Sequence, residues 1–202
     1  VSETGIGNRE SGIEGRSGSS DPASSIPDSR QPIPDSRFPI PAVRVGIGYD
    51  SHRFAPGTEM VLGGCRIPCD VCLVGHSDGD AIAHALTDAI LGAASAGDIG
   101  EMFADTDERN RGRDSIEMLR AAVARVRTLG WAVQNADISV IAERPRIGPH
   151  RLEIRTTLAT ALGVDAAAVS VKGKTNEGMG WIGRGEGLAC LAVASLARAG
   201  HQ

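Results

Sequence analysis

One break divides this sequence and limits what it can fold into. Six of the ten prolines fall within residues 1–42, together with nine serines and five glycines. From Val43 onward, apolar residues recur at strand or helix spacing almost to the end. A stretch as poor in apolar side chains as 1–42 buries too little surface to offset the entropy of ordering it. It therefore reads as a disordered low-complexity extension, and residues 43–202 read as the folded domain. The extension holds six acids against four arginines and no continuous apolar run, unlike a transit peptide or a secretory signal. A cytoplasmic protein is the expectation.

Past the break the periods alternate. Val43 to Gly48 reads as a short strand leading into Tyr49-Asp50-Ser51-His52, and Met60 to Ile67 as a hairpin turning at Gly63-Gly64. From Asp80 to Ala94 the positions Ile82, Ala85, Leu86, Ala89, Ile90 and Ala93 keep helical spacing. A second helix spans 113–129 and stops at Gly130; a third opens at Pro149 and closes at Gly163. Ala136 to Ala142 and Val169 to Val171 read as strands, while Gly187 to Ala197 fits either period. Strands interleaved with helices predict a layered α/β or α+β sandwich.

Composition removes several functions. Aromatic residues make up 3% of the chain, so the core must be Ala, Val, Leu and Ile, and stacking on exposed bases is excluded. The net charge is −4, with Lys172 and Lys174 as the only lysines and no basic block. Nucleic acid is therefore not an expected partner. No run approaches the ~18 apolar residues of a membrane helix, so no membrane partner is expected either. Cys65, Cys69 and Cys72 have the C-x3-C-x2-C spacing of an iron–sulfur motif. Val71 stands where radical SAM enzymes usually carry an aromatic, and ordinary packed cysteines are the simpler reading. Gly178, Gly180 and Gly183 imitate a dinucleotide fingerprint, but the required acid some twenty residues later has no room to follow.

Histidines and carboxylates converge more persuasively. Asp50 and His52 are two residues apart on a strand end and share a face. His84 lies inside the first helix with Asp80 one turn before it and Asp88 one turn after. A lone helical histidine is more often a packed core residue than a ligand. The flanking acids and the earlier Asp-x-His shift the reading toward a metal site, and one carboxylate with two imidazoles leaves a fourth tetrahedral position open, as in catalytic zinc sites.

Several strings of residues then resemble one family. They are Gly48-Tyr-Asp-Ser-His52, His76-Ser-Asp-Gly-Asp-Ala-Ile-Ala-His84, Asp98-Ile-Gly100, Phe103-Ala-Asp-Thr-Asp107, Lys174-Thr-Asn-Glu177 and Gly183-Arg-Gly-Glu-Gly187. In order and without large gaps, they are similar to the 2-C-methyl-D-erythritol 2,4-cyclodiphosphate synthase family from about Arg44 to Ala199. The resemblance implies an α+β fold, a small mixed β-sheet with helices packed on one side, assembled as a homotrimer with sites between subunits. It also implies that Gly187–Ala197 is a strand near the trimer axis.

The implied reaction closes 4-diphosphocytidyl-2-C-methyl-D-erythritol 2-phosphate into a cyclic diphosphate and releases CMP. By the same resemblance Asp50, His52 and His84 match the Zn2+ ligands, and Glu177 matches the ligand of a second divalent cation, Mg2+ or Mn2+. His76 and Thr175 match positions that stabilise the transition state. Substrate-binding positions would be Ser77, Asp98, Ile99, Gly100, Phe103, Ala104, Asp105, Thr106 and Asp107. Ala142, Glu143, Arg144, Pro145, Arg146, Ile147 and Gly148 match a cytosine pocket; Lys174, Asn176, Trp181 and Arg184 match further substrate-binding positions, with Arg184 a phosphate contact and Lys174 next to a phosphate pocket. Trp181 stands where a smaller aromatic is expected, and Gly173-Lys174 replaces a more threonine-rich run.

Overall fold

The computed structural model describes residues 43–75, 77–104 and 106–199. Residues 1–42, His76, Asp105 and the last three residues lie outside it, so the expectations placed on them are not addressed by the fold. The elements in chain order are β1 (Val43–Pro56), β2 (Glu59–Leu62), β3 (Cys65–Pro68), β4 (Val71–Leu73), α1 (Ala81–Ala94), α2 (Ile99–Met102), α3 (Ser115–Thr128), β5 (Trp131–Ile141), α4 (Arg151–Leu162), β6 (Val169–Lys174), α5 (Gly180–Gly183) and β7 (Gly187–Arg198). Five strands form one sheet in the order β4-β1-β7-β5-β6, and β2 and β3 form a separate hairpin. Only β5 and β6 run parallel, so the sheet is mixed and the fold is α+β.

The segment that fits both periods is a strand because of where it lies. β7 is central, paired with β1 on one side and β5 on the other, and its Ala192 and Ala194 are fully buried on the helix-covered face. Two strands run longer than their apolar alternation suggests. β1 continues through Pro56, pairing with β7 as far as Arg53 opposite Gly187, although Asp50 and His52 interrupt the apolar rhythm. β5 starts at Trp131, and an irregularity between Val133 and Asn135 breaks its period of two. β6 extends past Val171 to Lys174, opposite Ile141.

Two glycines set how α1 lies on the sheet. A Cβ on Gly46 would sit 2.0 Å from the Ala89 carbonyl oxygen, and one on Gly48 would sit 1.9 Å from that of Ala85. Helix and strand therefore touch backbone to backbone, and the Gly46–Gly48 pair serves close packing. Since side chains alternate along a strand, Asp50 and His52 point to this same helix-covered side. The first turn of α1 is fixed by Asp80, a fully buried carboxylate. It accepts the amides of Ile82 and Ala83 and those of Gly63 and Gly64 in the β2–β3 turn. Burial pushes its pKa up, against the pull of those amides. Asp88, the other acid of the stripe, accepts the Ile99 amide at 2.8 Å. Neither acid reaches the Asp50–His52–His84 group; both brace the helix that carries His84.

No helix among the described residues covers the opposite sheet face. Val45 and Ile47 are 66% and 69% exposed there, beside Tyr49, Leu191 and Val193.

Candidate metal centre

The packing of α1 on β1 brings three ligands to one point. Asp50 Oδ2 lies 2.8 Å from His52 Nε2 and 3.1 Å from His84 Nδ1, and the two ring nitrogens are 3.3 Å apart. Among the described residues, these form the one group of three or more such side chains whose ligand atoms lie within 4.8 Å of one another. The three clustered cysteines do not: the Cys65 thiol sits in the core near Thr157, and that of Cys72 faces the Pro56 carbonyl.

Hydrogen accounting shows what the point can take. His52 Nδ1 is 2.8 Å from the Val74 carbonyl, which can only accept, so Nδ1 carries a hydrogen and, in the neutral ring, the lone pair lies on Nε2. For His84 the chain is one step longer. The buried Ser115 hydroxyl donates to the Asp78 carboxylate, which also accepts the Ser115 amide at 3.1 Å. Having spent its hydrogen, Ser115 can only accept from His84 Nε2 at 2.9 Å, so Nδ1 is left with its lone pair facing Asp50. Two imidazole lone pairs and one carboxylate oxygen converge, a donor set that suits Zn2+ or a shared proton. Burial works against charge here, but the hydrogen bonds and charges of His52 and His84 hold the Asp50 carboxyl well below the usual range. The His52 pKa is likewise depressed by burial but raised on balance by Asp50.

Around this centre lies a cleft of about 330 Å³ bordered by Ser77, Ile99, Gly100 and Phe103 among others. Ser77 Oγ is 3.0 Å from His84 Nε2. Asp98 caps α2 by accepting the Glu101 amide, and so shapes the Ile99–Gly100 turn. A second cleft, also bordered by Phe103, is lined by Ala104, Asp107, Arg109 and Arg113. The Asp107 carboxyl, paired with Arg109, has its pKa lowered to about 2. Thr106 is exposed beside it.

A family model, the YgbB family, matches residues 43–197. The chain belongs to the YgbB family. It is 62% identical over 154 residues to the 2-C-methyl-D-erythritol 2,4-cyclodiphosphate synthase of Gemmatimonas aurantiaca, covering 76% of this chain and 93% of that protein. The Plasmodium falciparum IspF CDP complex has a TM-score of 0.70 at 35% identity, covering 79% of this chain and 98% of that one. The bifunctional IspDF of Campylobacter jejuni has a TM-score of 0.75 at 40% identity, covering 77% of this chain and 42% of that longer one.

The remaining positions expected from the YgbB-type motifs do not line the metal cleft itself. Ala142 to Gly148 follow β5, and Thr175 to Glu177 follow β6. Their strands are adjacent, and the Ala142 amide donates to the Lys174 carbonyl. Glu143 accepts the Asn176 amide, and Thr175 donates to Glu177 at 2.7 Å. Ile147 is buried against Gly173, whereas Arg144 and Arg146 are exposed. The peptide between Arg144 and Pro145 is cis. Trp181 borders a third hollow with His52, Arg53 and Glu186, and Arg184 pairs with Glu186 at 2.6 Å.

Between β1 and β6 stand β7 and β5, three strand spacings or roughly 14 Å. Among the described residues, the cleft around Asp50, His52 and His84 is lined by neither Glu177 nor the 142–148 loop. Sequence reasoning missed Ser115 and Asp78 as partners of His84. Their one signal is the Asp114-Ser115 helix start, which reads first as a cap.

Proposed function

We infer that this chain converts 4-diphosphocytidyl-2-C-methyl-D-erythritol 2-phosphate into 2-C-methyl-D-erythritol 2,4-cyclodiphosphate and CMP, the step named by its YgbB relatives. The observation that carries this is the Asp50–His52–His84 convergence in a chain that matches such a synthase over 93% of its length. The 2-phosphate oxygen forms a bond to the β-phosphorus, the bond between that phosphorus and the bridging oxygen breaks, and CMP leaves with the electron pair. An ionised phosphate is already a nucleophile, so alignment and charge neutralisation carry the barrier.

Asp50, His52 and His84 would hold Zn2+ and Glu177 would hold Mg2+ or Mn2+, cations that polarise the phosphates and offset their developing charge. Ser77 and the turn at Asp98–Gly100 would line the erythritol, with Phe103 to Asp107 beside it. The 142–148 loop offers backbone groups that can read a cytosine edge, and Lys174, Asn176, Trp181 and Arg184 would flank the phosphates. His76 and Thr175 would contact the reacting phosphates. The activity is assigned to residues 43–202, with 1–42 dispensable.

A homotrimer completes the site. Both cations would have to reach the same diphosphate, whereas the cleft around Asp50, His52 and His84 within one chain is lined by neither Glu177 nor the 142–148 loop. A cyclic trimer would set the Glu177 half of one subunit against the zinc half of the next. The uncovered apolar face of β1 and β7 supports such an assembly.

The test is incubation with the cytidylated 2-phosphate, following CMP and the cyclic diphosphate by ³¹P NMR. CDP binding without turnover would overturn the reading in favour of a nucleotide binder on the same scaffold.

A further inference from the structure

Glu177 is held in the left-handed backbone region at φ 51°, a conformation that among the described non-glycine residues only Ser95 shares. A glutamate there has no intrinsic reason to stay, so contacts must hold the turn. Some are internal: the Met179 amide donates to the Asn176 carbonyl, and the Asn176 side-chain amide donates to the Met179 carbonyl, both at 2.8 Å.

The decisive one comes from another loop. Glu143 Oε1 accepts the Asn176 amide at 2.9 Å and the Gly178 amide at 3.4 Å, the two backbone donors on either side of Glu177. Glu143 is itself anchored. The amide before it, on Ala142, donates to the Lys174 carbonyl at 2.9 Å, and Arg144 after it pairs with Asp70 at 3.0 Å. Inside the clamped turn, the Thr175 hydroxyl donates to Glu177 Oε1 and aims that carboxylate.

We propose that Glu143 is a positioning residue: its carboxylate clamps the 176–178 turn so that Glu177 faces its cation, rather than reading the base as its neighbours in the loop would. This rests on the assignment of the second cation to Glu177. The clamp needs an acceptor oxygen and not a charge, because both of its partners are backbone amides. Glu143→Gln should therefore preserve it and Glu143→Ala should abolish it.

The test uses the full chain loaded with zinc. Mn2+ affinity is read by electron paramagnetic resonance, CDP affinity is read without Mn2+, and zinc content and melting temperature are checked. Glu177→Gln should lose Mn2+ binding. Glu143→Ala should weaken Mn2+ binding about tenfold or more, with CDP affinity, zinc and melting temperature unchanged, and Glu143→Gln should stay within about twofold of the parent. Unaltered Mn2+ binding in Glu177→Gln would overturn the cation assignment and the clamp's purpose with it. If Glu177→Gln loses Mn2+ while Glu143→Ala keeps it, the clamp alone is wrong. Equal loss in Glu143→Gln and Glu143→Ala would make Glu143 a charged cation partner instead. A loss of CDP affinity in Glu143→Ala would return it to base binding.

Discussion

His84 Nε2 lies 2.9 Å from Ser115 Oγ, a hydroxyl that solvent does not reach. Because Asp78 takes the hydroxyl hydrogen, Ser115 fixes which histidine nitrogen is free for a metal. Outer hydrogen bonds of this kind are worth roughly 10–100-fold in metal affinity. Ser77 Oγ, at 3.0 Å, can accept in its place, so Ser115→Ala should weaken zinc about tenfold, the low end of that range. The double change Ser77→Ala with Ser115→Ala should weaken it further. Competition with a chromophoric chelator measures both, and unchanged affinity in the double variant would remove the relay.

Zinc uptake should depend on pH through the proton between His52 and Asp50. Although burial opposes it, Asp50 raises the His52 pKa, and a bound cation must expel that proton. Affinity should fall about tenfold per pH unit below the raised value. For the metal-free protein the His52 contribution is fully present below 6.5, its ordinary value, and is lost as pH rises through the folded one. The Asp50 contribution runs the other way, present above 3.8 and lost as pH falls through its depressed folded pKa. Melting curves with a chelator should thus decline on the alkaline side, and added zinc should remove that decline. Parallel curves with and without zinc would contradict the linkage.

Two glycines in contact with or within α1 should respond in opposite directions. Gly48→Ala drives a Cβ into the Ala85 carbonyl, so strand and helix must separate; the cost should be about 3 kcal/mol or more. Gly92, inside α1 and exposed, meets nothing within 4 Å. Gly92→Ala should stabilise by ~0.5–1 kcal/mol through helix propensity. Chemical denaturation of the pair decides this, and a neutral Gly48→Ala would mean that the contact yields.

Because Glu177 does not line the cleft around Asp50, His52 and His84 within one chain, a site shared between subunits predicts complementation. Inactive His84→Ala and Glu177→Ala proteins, dissociated and mixed, should regain partial activity, since mixed trimers contain interfaces with both halves intact. Light scattering should give a trimer. An active monomer would refute the shared site.

Much of this was readable from residue order, for reasons that particular segments make plain. α1 announces itself through Ile82, Leu86 and Ile90, and the β2–β3 turn through Gly63-Gly64. The zinc-type triad could be suspected because period two puts Asp50 and His52 on one face and His84 falls near the start of a helix. The apolar rhythm marks β1 only as far as Gly48, because pairing with β7, not that rhythm, decides its length. Asp80 and Asp88 form the polar stripe beside His84 that their spacing shows, but what they bind is not legible, since their partners are backbone amides that carry no mark in a sequence. The link from Asp78 through Ser115 to His84 spans 37 residues and depends on one hydroxyl hydrogen; local spacing does not encode it.

β7 is both the final strand and the central one, and Val43 pairs with Ala197 across nearly the whole domain. Contacts so distant in sequence close late and slowly during folding. The three ligand side chains emerge early, yet β1, which carries two of them, has only the short β4 beside it until residues 187–198 arrive. Metal capture therefore reports on completion of the sheet: a chain stopped before Gly187 possesses every zinc-type ligand and lacks the strand that holds them in place.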